Sequence, residues 1–209
     1  LTLTDVTAEI TAPDGQLSAH LDQVLVPDVT AALDPALRAE AQDRYRRLLP
    51  LIPDYVRSHA RRYPGGIALI EHDTGTEVTW SELSRAVDAF SAKLLSAGLK
   101  RGDVVATSLP FLKEHAYLML AAFQLGLIVA PLDLRLKAGE IKAAFDQVRP
   151  RAWFFLGNTP RVDFRPMVEE VLATSPWCTL RVQFQADEEG IVSGAQHVKA
   201  FARDIRLRY

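Results

Sequence analysis

The spacing of apolar runs from residue 104 onward constrains the fold more than any other feature of the sequence. Short apolar runs that suit buried strands alternate with segments of helical periodicity, and successive strands start roughly 23 to 27 residues apart. In βαβ units a crossover helix connects two parallel strands, and this spacing suits such units. The pattern therefore predicts an α/β fold, a doubly wound and mainly parallel sheet flanked by helices.

The predicted strands are short, and the first two of them form a hairpin around the turn DTGT. We expect strands over residues 67–70, 77–79, 104–109, 127–130, 152–156 and 179–184. In the last of these, apolar and polar side chains alternate strictly, which is typical of a strand with one exposed face. We therefore expect the last strand to be less enclosed than the others.

The best-marked helix follows the hairpin. Thr79 and Glu82 have the spacing of a capping box, in which each residue bonds to the other's backbone N–H. Gly98 suits the left-handed conformation that often ends a helix. Between these limits four apolar residues recur at helical period, which predicts one buried stripe: Leu83, Val87, Phe90 and Leu94.

The first 47 residues differ from the rest of the chain. They contain turn signals and most of a charged, helix-forming stretch, ALRAEAQDRYRRLL, and prolines follow at positions 50 and 53. We predict an N-terminal extension with a charged helix over residues 1–47 and an α/β region over residues 48–209. Because the chain begins with Leu1, we expect it to be a piece of a longer protein.

Composition excludes several functional classes. A net charge of −2 gives no basic surface for nucleic acid, and no apolar run reaches the ~20 residues that span a bilayer. Cys178 is the only cysteine, so we expect a small buried side chain and no disulfide framework. Without a signal-peptide pattern, these features predict a reducing, cytoplasmic location.

No familiar catalytic or cofactor motif occurs in the sequence. It contains no G-x-S-x-G nucleophile elbow, no G-x-x-x-x-G-K-[ST] phosphate loop and no G-x-G-x-x-G dinucleotide fingerprint. The histidines are scattered and lack the spacing of metal ligands. We therefore predict no catalytic residue and no metal site in this chain.

Three motifs, however, resemble those of the AMP-forming adenylating enzymes, which include acyl-CoA synthetases, luciferases and adenylation domains. The motifs are TWSEL at 79–83, GLKRGDVV at 98–105 and GLIVAPL at 126–132. The resemblance is good over 51–156 and looser over 162–209. It ends just before the Ser/Thr/Gly-rich phosphate loop of that family. The chain therefore resembles only the N-terminal part of such an enzyme.

The resemblance implies a ligase as the parent protein. Such an acyl- or aryl-CoA ligase, for example one of fatty acid metabolism, uses ATP, Mg²⁺ and CoA to convert a carboxylic acid to an acyl-adenylate and then to a thioester. The piece itself should be inactive and should need no cofactor. Its uncovered sheet edge or apolar face favours self-association. Two alternatives stay open, namely an adenylation domain that serves a carrier protein and a non-catalytic α/β binding module.

One segment of the chain is a candidate binding site. Asp133, Arg135 and Lys137 follow a predicted strand and precede a helix, where ligands gather in open α/β sheets. A helix N-terminus with two nearby cations suits a phosphate. The segment also resembles the N-P-R-L-K-type turn of some aryl-CoA ligases, which implies that Arg135 and Lys137 contact a CoA phosphate. The alternative is a solvated arginine paired with Asp133.

Overall fold

The computed structural model describes residue 36 and residues 52–203 of the chain. By its contacts the chain divides into two units, Leu1–Pro50 and Leu51–Tyr209, and the following description concerns the second unit. Apart from Ala36, which is helical, the predicted extension over 1–47 lies outside the described residues. The predicted boundary at residues 47 and 48 stays a prediction.

Seven strands and six helices make up the described part of the second unit. The strands are β1 Ile67–Glu71, β2 Thr76–Thr79, β3 Val104–Ser108, β4 Ile128–Pro131, β5 Ala152–Leu156, β6 Leu180–Phe184 and β7 Gln196–His197. The helices are α1 Ile52–Arg62, α2 Trp80–Ser96, α3 Lys113–Leu125, α4 Ala138–Val148, α5 Arg165–Ala173 and α6 Val198–Arg203.

Five of the strands form one parallel sheet. Their order is β4-β3-β5-β6-β7, and every neighbouring pair is parallel. β1 and β2 form a separate antiparallel hairpin. From β3 the chain passes to β4 on one side and then returns to β5 on the other side, so the direction of winding reverses between β3 and β5. The doubly wound α/β fold predicted from the sequence is confirmed.

Helices cover both faces of the sheet. Phe154 of β5 packs into a core that includes residues of α1, α2, α3 and α6. Its neighbours Trp153 and Phe155 point the opposite way and pack with α4 and α5. Because successive side chains of a strand point to opposite faces, an uninterrupted apolar strand such as β5 requires a helical layer on each side.

The predicted helix after the hairpin has the expected limits. The Thr79 hydroxyl accepts the Glu82 backbone N–H at 3.2 Å, and Thr79 N–H donates to Glu82 Oε2 at 2.8 Å. All four residues of the apolar stripe are buried. Gly98 follows the end of α2 with a φ of +83°, a conformation that costs glycine little. The capping box and the glycine stop are both confirmed.

The prediction for the last strand, β6, is wrong. β6 lies between β5 and β7, and Gln183 on its predicted exposed face is 0% exposed. The alternation of polar and apolar residues does not indicate exposure here, because the polar side chain is satisfied by hydrogen bonds inside the protein. The two-residue strand β7 and the short helix α6 were not predicted.

Candidate functional site

The carboxyl ends of the parallel strands meet at one edge of the sheet, where open α/β proteins bind their ligands. Four connecting segments leave this edge. They cover residues 109–112 after β3, 132–137 after β4, 157–164 after β5 and 185–195 after β6. The predicted site residues Arg135 and Lys137 both lie in the second of these segments.

The segment after β4 alternates between half-buried and exposed side chains. Leu132 and Leu136 pack against the core under α4 and α5, and Leu134 lines a small enclosed space beside them. Three charged residues are exposed, Asp133 and Arg135 between the leucines and Lys137 after the last of them. The leucines thus anchor the segment and leave the three charged side chains at the surface.

Asp133 and Arg135 form a close, two-point ion pair. Arg135 Nε lies 3.0 Å from Asp133 Oδ1, and Arg135 Nη2 lies 2.6 Å from Oδ2. The Arg135 backbone N–H also donates to Oδ1, at 2.9 Å. These hydrogen bonds from Arg135 lower the pKa of Asp133 to about 2. The carboxylate therefore stays ionised throughout the physiological range.

The pair leaves part of Arg135 unused. The arginine side chain is 89% exposed, and its Nη1 has no hydrogen-bond partner among the residues that the structure describes. Lys137, two residues later, immediately precedes α4 and donates its backbone N–H to Glu140 Oε2 at 2.8 Å. Two exposed cations thus stand at the start of a helix.

A second pair of the same kind joins Asp163, in the segment after β5, to Arg165, the first residue of α5. Arg165 Nε lies 2.8 Å from Asp163 Oδ1, its Nη2 lies 2.7 Å from Oδ2, and its backbone N–H donates to Oδ1 at 3.1 Å. In this pair Arg165 Nη1 donates to the carbonyl of Gly190, at 3.3 Å. The D-x-R pattern at 133–135 and at 163–165 could have been found in the sequence.

A buried glutamine organises the segment after β6. Gln183 Nε2 donates to Gln185 Oε1 at 2.6 Å and to the Gly190 carbonyl at 3.3 Å. Its Oε1 accepts the Val192 N–H at 2.8 Å. These bonds cross the sheet edge right beside Gly157, the residue that follows β5. The sequence carried no signal of this network, because two of its partners are the backbone groups of Gly190 and Val192.

The segment after β3 presents an aromatic side chain. Phe111 is wholly exposed. His115, the third residue of α3, is buried, with Nδ1 3.1 Å from the Pro110 carbonyl and Nε2 3.2 Å from Thr107 Oγ1. Through its two ring nitrogens His115 thus links α3 to the segment after β3, at Pro110, and to β3 itself, at Thr107.

Three further sequence features were considered above, namely metal ligands, Cys178 and membrane-spanning helices. The residues in the described part contain no group of three or more histidine, cysteine, aspartate or glutamate side chains that could hold a metal. Cys178 is buried, as predicted, and burial raises the pKa of its thiol to about 12. Of the helices described, none is long and apolar enough to cross a membrane.

Comparison with known proteins gives a consistent family. Residues 56–203 match the family described as AMP-binding enzyme. A 4-chlorobenzoate–CoA ligase from an Arthrobacter species is 37% identical over 82 residues, which make up 39% of this chain and 16% of that protein. The chain thus spans about a sixth of the length of this curated relative.

Solved structures share the fold. Acetoacetyl-CoA synthetase from Streptomyces lividans superposes with a TM-score of 0.64 at 21% identity, over 73% of this chain and 25% of that one. The anthranilate CoA ligase AuaEII, solved with anthranoyl-AMP, gives 0.64 at 20% identity, over 74% and 29%. At these identities the likeness supports the arrangement of strands and helices alone.

Proposed function

Because the chain belongs to the AMP-binding enzyme family, we propose that it forms part of an acyl- or aryl-CoA ligase. In that reaction the carboxylate attacks the α-phosphate of ATP, giving an acyl-adenylate and pyrophosphate. The CoA thiol then attacks the acyl carbon, which forms the thioester and releases AMP. The observation that carries the proposal is the 37% identity to a 4-chlorobenzoate–CoA ligase.

This chain would contribute scaffold and a CoA contact. Arg135 and Lys137 offer exposed cations beside the N-terminus of α4, and such a setting favours a phosphate group. We assign them to a phosphate of the CoA nucleotide. Carboxylic acid, ATP with Mg²⁺ and CoA would be the small-molecule partners, and no nucleic acid is expected. The cytoplasmic location predicted above stays a prediction.

Replacing Arg135 in the whole protein tests this contact. Arg135→Ala should raise the Michaelis constant for CoA about 5- to 30-fold, the equivalent of about 1–2 kcal/mol for one charge-assisted hydrogen bond. ATP–pyrophosphate exchange with the acid should not change, because it precedes CoA binding. Arg101→Ala is the matched control, since Arg101 is exposed and precedes β3 at the opposite edge of the sheet.

Unchanged CoA kinetics in Arg135→Ala would refute the CoA contact, and loss of exchange activity would show a general defect instead. If the acyl group passes to the thiol of a carrier protein and not to CoA, the protein is an adenylation domain. If the whole protein catalyses no exchange with any carboxylic acid, the non-catalytic binding module is correct.

The 209-residue chain alone should have no ATP–pyrophosphate exchange activity and no saturable ATP site, because its sequence lacks the glycine-rich phosphate loop. Calorimetric titration of the chain with ATP measures this directly, and a micromolar dissociation constant would contradict it.

We expect the isolated chain to associate with itself. β4 is an edge strand of the sheet, and its Ile128 is 55% exposed. Bare edges and exposed apolar side chains favour strand pairing between molecules. Sedimentation velocity should show a weight-average mass that rises with concentration, whereas a monomer over the whole range would count against it.

A further inference from the structure

The two aspartate–arginine pairs at the carboxyl edge share one bonding pattern, but the third guanidinium nitrogen of each arginine has different surroundings. In each pair the aspartate accepts the arginine backbone N–H, Nε and Nη2. Arg165 uses its remaining terminal nitrogen, Nη1, to bind the Gly190 carbonyl. Arg135 binds its carboxylate through the same three groups, but its Nη1 has no acceptor within the described part of the chain.

The pair at 163–165 shows that an arginine bound to aspartate in this geometry can also donate to a second acceptor. With two guanidinium nitrogens, Nε and Nη2, held by the carboxylate, the third, Nη1, is directed at an oxygen acceptor that approaches from outside the pair. The backbone of Gly190 comes so close to Arg165 Nη1 that a Cβ at this glycine would overlap it. A paired arginine of this kind remains a directional donor.

We propose that Asp133 is a positioning residue, which holds the guanidinium of Arg135 so that Nη1 is presented to a phosphate group. The inference rests on the proposed CoA contact and extends it to a residue that would not itself touch the ligand. The Asp133 carboxylate closes the turn by accepting the Arg135 backbone N–H. It also fixes the Arg135 side chain by accepting Nε and Nη2.

Two effects of Asp133 on phosphate binding oppose each other. Its negative charge repels a phosphate, yet in water and physiological salt this repulsion is weak for groups that do not touch. Its hydrogen bonds also remove rotamer freedom from Arg135 before the ligand arrives. Ordering a free arginine is among the larger side-chain entropy costs, so we expect the positioning effect to exceed the repulsion.

Asp133→Asn in the whole protein isolates the carboxylate. The amide oxygen can still accept the Arg135 N–H and keep the turn, but it cannot hold both guanidinium nitrogens as a carboxylate does. We expect the Michaelis constant for CoA to rise about 2- to 10-fold, with ATP–pyrophosphate exchange unchanged. Asp133→Glu, which keeps a carboxylate, should recover part of the loss.

A double variant shows whether Asp133 acts through Arg135. Asp133→Asn combined with Arg135→Ala should give the same Michaelis constant as Arg135→Ala alone, because the positioned group is gone. Asp163→Asn is the matched control, since it breaks the pair at 163–165 and should leave CoA kinetics unchanged. Additive effects of the two substitutions would overturn the inference, as would tighter CoA binding in Asp133→Asn.

The proposed contact and the positioning function fail in different ways. If Arg135→Ala leaves CoA kinetics unchanged, the contact is refuted and the inference with it. If Arg135→Ala weakens CoA binding and Asp133→Asn does not, only the positioning function is refuted. Titration with adenosine 3′,5′-bisphosphate, followed by the NMR signal of Arg135 Nε–H in the 209-residue chain, supplies a readout that needs no catalysis. The signal should shift with the probe in the unsubstituted chain, and at higher probe concentrations in Asp133→Asn.

Discussion

Replacing Gly157 by alanine should destabilise the chain through one close contact. A Cβ at this position would lie 2.7 Å from Gln183 Cδ, and closer still to the ends of Gln183 and Gln185. The φ of Gly157 lies outside the left-handed region, so the backbone itself permits alanine. Any cost of the substitution therefore reports the contact with the glutamines and not backbone strain.

The size of the effect follows from what Gln183 would lose. Its side chain is fully buried, so it cannot move into solvent. If it shifts, its bonds with Gly190 and Val192 weaken, at about 0.5–1.5 kcal/mol each. Overpacking adds about 1–3 kcal/mol. Some of this is recovered by movement of the exposed Gln185, so we expect about 2–4 kcal/mol in total.

Equilibrium unfolding in urea measures this difference. With a typical slope of about 2 kcal/mol per molar urea, the midpoint of Gly157→Ala should fall by about 1–2 M. Gly139→Ala is the control, because Gly139 lies in α4 with nothing within 4 Å of its added Cβ and alanine favours helices. Its midpoint should stay the same or rise. A Gly157→Ala midpoint within about 0.3 M of that of the unsubstituted chain, which is about 0.6 kcal/mol at this slope, would refute the account of the glutamine network.

Three further predictions concern side chains away from the sheet edge. Because burial raises the pKa of Cys178 to about 12, its thiol should not react with Ellman's reagent at pH 8 in the native chain and should react fully in urea. Hydrogen bonds from Thr74 and Lys113 lower the pKa of Glu71 from its ordinary 4.5, so its ionised form stabilises the fold above that pH. That contribution should disappear as the pH falls below about 4.5, and Glu71→Gln should reduce the loss of thermal stability in this range. Thr79→Ala should cost about 1 kcal/mol of unfolding free energy through the lost helix cap, whereas Thr79→Ser should cost less than half as much.

Local sequence signals predicted the elements that local interactions determine. The helix after the hairpin was predicted correctly because its capping box, apolar stripe and terminal glycine all lie within about 20 residues. The strand at 152–156 was found at its observed limits, since five apolar residues in a row suit a strand covered on both faces. Neither prediction depended on where the rest of the chain lies.

The error at β6 has a different cause. Alternation indicates exposure only if the polar side chains have no partners inside the protein, and Gln183 bonds to Gln185 and to two backbone groups in the segment that follows it. The two backbone partners, Gly190 and Val192, lie seven and nine residues later in a stretch without periodicity. Nothing local in the sequence shows that this stretch folds back over the strand.

In the candidate site, too, a contact between neighbouring residues was predicted from the sequence and a contact between distant residues was not. Pairing of Arg135 with Asp133 was foreseen as an alternative because the two residues are neighbours in one turn. The bond from Arg165 to Gly190 was not foreseen, since it joins residues 25 positions apart. This distant bond nevertheless shows that an arginine paired with aspartate in this way can still donate to an oxygen acceptor. Considered alone, the ion pair of Arg135 with Asp133 would indicate a neutralised surface arginine. Compared with the pair at 163–165, it indicates an arginine whose Nη1 is positioned to bind an oxygen acceptor.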